Sequence, residues 1–132
     1  MTMTDPIADM LTRLRNASRA SIRRLDMPAS KAKKRIAEIL LENNYVRSVE
    51  YIEDDIQGIL RIRLKYTSEG QSLIKGIKRI STPGLRSYMS KKDIVKGSRK
   101  PGMIILSTSS GLMTQRDAIA NGVGGEAMFR IW

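Results

Sequence analysis

The chain contains neither cysteine nor histidine among its 132 residues. Without cysteine it cannot form a disulfide, a thiolate nucleophile or a thiolate-bound zinc site, which fits a reducing compartment. Without histidine it lacks the commonest general base and metal ligand. These absences argue against an enzyme and against a metal site, and we expect no cofactor.

Aromatic residues are scarce too, with one Trp, one Phe and four Tyr. So few aromatic rings cannot build a stacking platform for unstructured single strands of nucleic acid. No apolar run approaches the roughly 20 residues that a membrane span needs. The first six residues resemble neither a signal peptide nor an Arg-rich transit segment. We therefore expect a cytoplasmic protein with no membrane partner.

Positive charge is what the chain has in excess, with 24 basic and 13 acidic residues and a net charge of +11. Such a balance is the usual electrostatic footprint of nucleic-acid binding. The polar stretch 67–72 is the best boundary, and it predicts an N-terminal domain at 1–66 and a C-terminal domain at 67–132. The first part carries 13 basic and 9 acidic side chains, and the second carries 11 and 4. The stronger field is therefore expected in the second part.

Hydrophobic periodicity predicts an α+β fold. The N-terminal domain is expected to have two layers in the order α-β-α-β-β, packed on a mainly β C-terminal domain with a short helix. Its elements are predicted at 6–19, 22–27, 31–42, 45–52 and 60–66, with Asp5 and Ser30 as helix N-caps and Asn43 as a stop. The C-terminal strands are predicted at 73–80, 85–90, 103–106 and 126–132, with one helix between Thr114 and Asn121.

Ser107-Thr108-Ser109-Ser110-Gly111 is the most informative segment, because four small hydroxyl residues in a row add almost nothing to a core. A serine nucleophile would need a base, and no Ser-x-x-Lys pattern places one in this segment. The segment also fails the phosphate-loop pattern. Two interpretations remain: hydroxyls that contact bases, ribose or phosphate of an RNA, and a turn that caps its own backbone.

Other candidates lie elsewhere in the chain. Arg86 and Tyr88, two residues apart, could stack on a base or clamp a ribose, or simply cover a sheet edge. Glu126, after Gly124 and Gly125, could accept from a base amino group or hold a neighbouring arginine.

Two basic clusters remain. The cations of the second helix, predicted to point outward, oppose the helix dipole, and they indicate either a phosphate site or a solvated face; they are Lys31, Lys33, Lys34 and Arg35. Arg61, Arg63 and Lys65 are spaced at roughly 7 Å along a strand, which roughly matches successive phosphates of a single nucleic-acid strand. We slightly favour the alternative, an ordinary exposed face that Glu50 and other acids could neutralise.

Five blocks of this sequence, in order and at matching spacing, resemble the family of ribosomal protein eight of the bacterial small subunit. They are residues 5–13 (Asp-Pro-Ile-Ala-Asp-Met-Leu-Thr-Arg), 28–31 (Pro-Ala-Ser-Lys), 83–86 (Pro-Gly-Leu-Arg), 106–114 (Leu-Ser-Thr-Ser-Ser-Gly-Leu-Met-Thr) and 124–126 (Gly-Gly-Glu). Any one block is weak, and the five together span nearly the whole chain.

The resemblance implies a structural, non-catalytic protein that binds the central domain of 16S ribosomal RNA during subunit assembly. It implies contacts with ribosomal proteins five and twelve, and no homo-oligomer. It leaves open whether the protein represses translation of its own operon's messenger RNA. The RNA-binding residues expected here are Ser107, Thr108, Ser109, Gly111, Arg86, Tyr88, Ser30, Lys31, Lys34, Arg116, Gly124, Gly125 and Glu126.

One segment departs from the family pattern. Before the Ser-Thr-Ser residues the family usually shows a longer, Gly-Leu-Gly-containing approach, whereas residues 96–102 here are shorter and more basic. The shape of the segment 91–102 is therefore left open. The competing functions are a DNA-binding, nucleoid-type protein and a small hydrolase that pairs Ser109 with a lysine.

Overall fold

A computed structural model describes residues 6–97 and 101–132, so the predicted cap at Asp5 and part of the segment 96–102 lie outside the described residues. The chain forms two compact units, divided between Lys75 and Gly76. We call them unit 1 and unit 2. None of the helices in the described ranges has the length and apolar character to cross a membrane.

Unit 1 has the α-β-α-β-β order that the periodicity predicts. Its elements are α1 (Pro6–Arg19), β1 (Arg24–Pro28), α2 (Lys31–Glu42), β2 (Val46–Ile52) and β3 (Ile59–Leu64). The three strands form an antiparallel sheet in the order β1-β3-β2. Alternate residues of β3 are buried, namely Leu60, Ile62 and Leu64. Since the side chains of a strand alternate between faces, Arg61 and Arg63 lie on the opposite, polar face of this sheet.

Helix α2 begins and ends where the sequence predicts. Ser30 is the N-cap, and its hydroxyl accepts a hydrogen bond from the N–H of Lys33 at 3.2 Å. Asn43 is the C-cap and donates through its backbone N–H to the carbonyl of Ile39. The prediction that Lys33 points outward is wrong: this residue is 6% exposed, and its ammonium donates to the carbonyl of Pro28 at 3.1 Å. A buried lysine needs such a partner, and the strand before the helix supplies it.

Unit 2 is mainly β, with two short helices. Its elements are β4 (Ile77–Arg79), β5 (Tyr88–Met89), α3 (Lys91–Gly97), β6 (Met103–Thr108), β7 (Gly111–Thr114), α4 (Gln115–Asn121) and β8 (Gly125–Ile131). The antiparallel strands follow the order β4-β8-β6-β7, and β5 also pairs with β8. Helix α4 begins after the predicted cap Thr114 and ends at Gly122, which has a left-handed backbone.

The sequence predicts unit 2 less well than unit 1. The predicted strands 73–80 and 85–90 shrink to three and two residues. A turn closed by paired backbone hydrogen bonds between Thr82 and Leu85 lies between them. The expectation of a single helix is also wrong. Helix α3 forms because Ser90 and Asp93 cap each other and Ile94 is buried.

One face of the unit 2 sheet packs against its helices. The residues of this cluster are Ile94 from α3, Ala118 from α4, and Ile104, Leu106, Met113 and Ala127 from the strands. Leu106 lies opposite both Ala127 and Met113 in the strand register. Because side chains alternate along a strand, Ser107 and Glu126, the neighbours of Leu106 and Ala127, lie on the other face.

Residues 67–75 belong to unit 1. The N–H of Thr67 donates to the carbonyl of Gln71, and the N–H of Leu73 donates to the carbonyl of Lys65. Tyr66 and Ser72 form an isolated antiparallel bridge. This polar stretch therefore folds back on the end of β3, and the division falls nine residues after the predicted boundary at 66/67. Whether the two units are independent domains stays a prediction.

Candidate nucleic-acid interface

The hydroxyl-rich segment forms a tight hairpin. Ser107 and Thr108 end β6, Ser109 and Ser110 form the turn, and Gly111 starts β7 with a φ of 104°. Glycine adopts this positive φ with the least strain, and Gly111 stays directly opposite Thr108 across the two-residue turn. Part of the segment expected as a loop thus extends two paired strands, which sets the face to which the side chains of Ser107 and Thr108 point.

The hydroxyl of Thr108 is used inside the turn. It donates to the carbonyl of Gly111 at 2.8 Å and accepts from the N–H of Ser110 at 3.1 Å. Among the described residues, the hydroxyls of Ser107 and Ser109 have no such protein partner. The two interpretations of this segment therefore apply to different residues: Thr108 caps the turn, and its two serine neighbours keep hydroxyls for a ligand.

Three strands bring candidate residues into one row. Glu126 of β8 lies directly opposite Ser107 of β6 on one side and Tyr88 of β5 on the other. Directly opposite residues point to the same face, and neighbouring strands lie about 4.8 Å apart, so the row spans about 10 Å. Tyr88 is 69% exposed. The row thus offers an aromatic ring, a carboxylate and a hydroxyl side by side.

Two side chains, Ser81 and Arg86, hold the carboxylate of Glu126 in place. Its side chain is 13% exposed and accepts from the hydroxyl of the fully buried Ser81. Arg86 donates to both carboxylate oxygens at 3.2 and 3.3 Å, while its own side chain stays 56% exposed. The hydroxyl of Ser81 also accepts from the N–H of Ser87 at 3.1 Å. These hydrogen bonds fix residues 81–87, the segment that leads into Tyr88, beside Glu126.

Two glycines let the strands approach at this point. A Cβ on Gly125 would overlap the carbonyl oxygen of Ser107 and lie 3.0 Å from the methyl group of Thr108. A Cβ on Gly124 would lie 2.6 Å from the carbonyl oxygen of Met89. The missing side chains of this pair thus allow the backbone of neighbouring parts of the protein itself to approach closely.

The remaining candidates lie apart from the row. Arg116 is exposed in the first turn of α4, which belongs to the helical layer on the other face of the sheet. Ser30, Lys31 and Lys34 lie in unit 1 at the start of α2. The ammonium of Lys34 stands 4.1 Å from the centre of the Tyr51 ring.

The first-turn cations of α2 have mostly internal partners. Lys33 and Lys34 are engaged as described, and Arg35 lies 3.4 Å from Glu38 and 3.6 Å from Glu42. Lys31 is exposed, and within residues 6–97 and 101–132 its ammonium has no hydrogen-bond or ion-pair partner. Of the four cations considered for a phosphate site on this helix, Lys31 is therefore the one that could bind a phosphate without losing a described internal partner.

Of the three cations on and after β3, Arg61 has a close acidic partner and Arg63 has a more distant one. Arg61 makes two hydrogen bonds to Asp26, at 2.9 and 3.1 Å. This pairing lowers the pKa of the Asp26 carboxyl, chiefly through the hydrogen bond from Arg61. Arg63 lies 3.5 Å from Glu50. Asp26 was not anticipated, because only the strand register places it opposite Arg61.

Sequence reasoning also missed Ser81, the buried donor beneath Glu126. Its position before Thr82-Pro83-Gly84 resembles an ordinary turn residue, and no spacing rule connects it with a residue 45 positions later. The one available signal is chemical, since a carboxylate in a basic, strand-rich segment needs local donors.

Comparison with known proteins agrees with the sequence resemblance. The family model described as ribosomal protein S8 matches residues 5–132. The chain is 52% identical over its full length, and over the full length of each relative, to the small ribosomal subunit protein uS8 of Streptococcus gordonii and to that of Lysinibacillus sphaericus. It is 50% identical over the full length of both chains to that of Natranaerobius thermophilus. The family consists of structural proteins and not enzymes. The chain belongs to the ribosomal protein S8 family.

Proposed function

We propose that this protein binds the central domain of 16S ribosomal RNA during assembly of the small subunit, and that the hairpin around Ser109 makes the sequence-specific contacts. The observation that carries the proposal is that the hydroxyls of Ser107 and Ser109 have no hydrogen-bond partner among the described residues, and that Ser107 lies directly opposite Glu126, whose carboxylate Arg86 holds. Specific RNA recognition targets irregular, unstacked regions, where short donors and acceptors reach base edges and 2′-hydroxyl groups.

The sequence-independent contacts and the sequence-specific contacts come from different parts of the protein. The net charge of +11 supplies a sequence-independent attraction to phosphates that weakens with salt. The row Tyr88–Glu126–Ser107 supplies groups that discriminate, because an aromatic face stacks and the oxygen atoms bond to base edges. Thr108 and Gly111 act by setting the shape of the turn. Gly124 and Gly125 allow the strands to close, and Arg86 and Arg116 add cations beside the sheet.

Unit 1 contributes a second, smaller set of proposed contacts. Lys31 at the start of α2 is exposed and carries an ammonium for a phosphate, while Ser30 orders the helix end that presents it. Lys34 keeps part of its side chain at the surface beside Tyr51. The resemblance to the family extends the proposal to cytoplasmic ribosomes, to contacts with ribosomal proteins five and twelve, and to repression of the protein's own operon messenger RNA.

The test is binding of the full chain to a central-domain 16S fragment at fixed salt. We expect Ser107→Ala with Ser109→Ala to weaken binding by about 1–3 kcal/mol, or roughly 5- to 150-fold, the scale of lost hydrogen bonds to base and ribose. Ser110→Ala is the matched control, since it removes a neighbouring turn hydroxyl that the proposal leaves without a role.

Two results would count against the proposal. Equal affinity of the double variant and the wild-type protein for the fragment would remove the hairpin from recognition. Displacement of the fragment by duplex DNA at equal nucleotide concentration would favour a general DNA-binding protein. Stable folding of each variant is checked by its thermal unfolding curve, which should match that of the wild type.

A further inference from the structure

The polar face of the unit 1 sheet carries two rows of charge that differ in balance. In the first row, Asp26 of β1, Arg61 of β3 and Glu50 of β2 lie side by side. Two carboxylates flank one guanidinium, and the bidentate contact from Arg61 to Asp26 holds the row together. This row is complete within the protein and needs no external ion.

The second row, two residues further along β3, has an excess of positive charge. Arg24 of β1 lies directly opposite Arg63 of β3, and Ser48 of β2 lies opposite Arg63 on the other side. Like charges directly opposite each other destabilise a sheet. The nearest acids relieve them only partly: Arg24 stays 3.9 Å from Asp26, and the buried Nη1 of Arg63 makes no hydrogen bond at 3.5 Å from Glu50.

This unbalanced row opens into a cleft within unit 1. The cleft has a volume of about 800 Å³, and its cations are Arg23, Arg24, Arg47, Arg63 and Lys65. Four hydroxyl-bearing side chains also line it, namely Ser21, Tyr66, Thr67 and Ser68, and there is no carboxylate among its described lining residues. Arg47 enters where the pairing of β2 with β3 is shifted by a bulge. Bulges re-aim side chains, and here the bulge adds a further guanidinium to the row.

We propose that this cleft binds phosphate groups of an RNA backbone, at a site separate from the unit 2 hairpin. Four of its five cations are arginines, whose planar guanidinium forms paired hydrogen bonds to phosphate oxygens. An acidic peptide would also need apolar anchors. The cleft offers little beyond Leu64 and Tyr66, and the Tyr66 hydroxyl already donates to the carbonyls of Ala17 and Ile22. The observations therefore favour the phosphodiester backbone of an RNA over an acidic peptide.

The cleft is tested with the full chain and a 20-nucleotide oligouridylate, which reports backbone contact without base specificity. Arg24→Gln with Arg47→Gln removes two charges from the cleft. Arg19→Gln with Lys78→Gln removes two charges elsewhere and is the matched control. We expect the cleft variant to bind several-fold more weakly than the control. The slope of log affinity against log salt should also fall by about one, as the loss of one or two phosphate contacts predicts.

The outcomes separate the two sites. Equal affinities and salt slopes for the cleft and control variants would overturn the proposal. Displacement of oligouridylate by polyglutamate at equal charge concentration, abolished by the cleft substitutions, would also overturn it, since the cleft would then select negative charge on a peptide. Ser107→Ala with Ser109→Ala removes no charge, so it should weaken binding of the 16S fragment without lowering the salt slope, whereas the cleft substitutions lower that slope. A failed hairpin and a failed cleft therefore give different patterns.

A loss of folding by the cleft variants can be distinguished from a loss of RNA binding. Arg24→Gln removes one of two opposed like charges, so the melting temperature should not fall below that of the wild type. Arg47→Gln alone, at an exposed bulge position, is a second variant that should show about half of the slope change. A cleft variant that melts normally and keeps the full salt slope contradicts the proposal.

Discussion

At the scale of single residues, the hairpin shows how a run of similar side chains divides its work. Ser107 and Thr108 are neighbours on one strand, so they point to opposite faces. Ser107 faces the row with Glu126, and Thr108 closes the turn on Gly111 and Ser110. Sequence alone presents the hydroxyls as one feature. The alternation of the strand and the two hydrogen bonds of Thr108 distinguish the group that shapes the hairpin from those left for a ligand.

Gly125 gives the sharpest test at this scale. An added Cβ would overlap the Ser107 carbonyl, which belongs to backbone and cannot swing aside. We expect Gly125→Ala to push β8 and β6 apart at the hairpin, to destabilise the protein by about 1–3 kcal/mol, and to weaken binding of the RNA fragment. Gly84→Ala is the control, since a Cβ there meets nothing within 4 Å. Urea unfolding measures the difference, and equal midpoints for the two variants would refute it.

At the scale of elements, helix α3 is the feature that periodicity misses. Seven residues provide one buried apolar position, Ile94, which is too little to produce a helical pattern in a basic stretch. The signal lies in the caps. Ser90 and Asp93 each accept a hydrogen bond from the other's backbone N–H, at 3.3 and 3.1 Å. A Ser-x-x-Asp pair is thus better evidence for this helix than its composition.

The pH dependence of α3 follows from the same pair. Hydrogen bonds from the backbone and then the side chain of Ser90 lower the pKa of Asp93 below its usual 3.8. A lowered pKa in the folded state adds stability above about pH 4 that is lost as the pH falls through the folded value. We expect Asp93→Asn to destabilise α3 at pH 7, with a difference from the wild type that shrinks below pH 4.

Amide hydrogen exchange in residues 91–97, followed with urea unfolding at pH 7 and pH 3, measures this effect. Asp55→Asn, at an exposed loop position, serves as the control for loss of one negative charge. An undiminished difference between Asp93→Asn and the wild type at pH 3 would show that the carboxylate's charge has no role in the cap.

The elements that the sequence predicts well are those fixed by nearby residues. Helix α1 occupies its predicted range, and the caps Ser30 and Thr114 lie where their side-chain chemistry indicates. The strands β4 and β5 are predicted too long, because their extent depends on pairing with β8, whose paired residues lie 36 to 54 positions later. The partners of Glu126, 40 and 45 residues away, cannot be predicted for the same reason. The partner of Lys33 is only five residues away, but it is a backbone carbonyl that helical periodicity does not indicate. Local patterns specify elements, and the register between distant strands specifies the site.

At the scale of the whole molecule, the charge of +11 is divided between two compact units that present it differently. Unit 1 neutralises one row of its sheet and leaves the next row cationic. Unit 2 places one carboxylate in a row with a hydroxyl and an aromatic ring. The proposed division of labour is that the unit 1 cleft adds to the backbone attraction of the basic surface, and the unit 2 row supplies discrimination between sequences.

The position of the division between the units is itself testable. Residues 67–75 return to β3 through the N–H of Leu73, the bridge between Tyr66 and Ser72, and the turn at Thr67. We expect a fragment 1–75 to be more stable than a fragment 1–66, because the shorter one loses these backbone hydrogen bonds, at about 0.5–1.5 kcal/mol each. The fragment 76–132 keeps every strand of its sheet.

Urea unfolding of both N-terminal fragments, followed by far-ultraviolet circular dichroism, measures this difference. A fragment that starts at 67 in place of 76 is the matched comparison for unit 2, and we expect the nine added residues to leave its midpoint unchanged, since their hydrogen bonds to residues 65 and 66 are missing. Stabilisation of unit 2 by residues 67–75, with no gain for unit 1, would move the boundary back to 66/67. The opposite result would assign the connecting segment to unit 1, whose cationic cleft that segment helps to line at Thr67, Ser68 and Gly70.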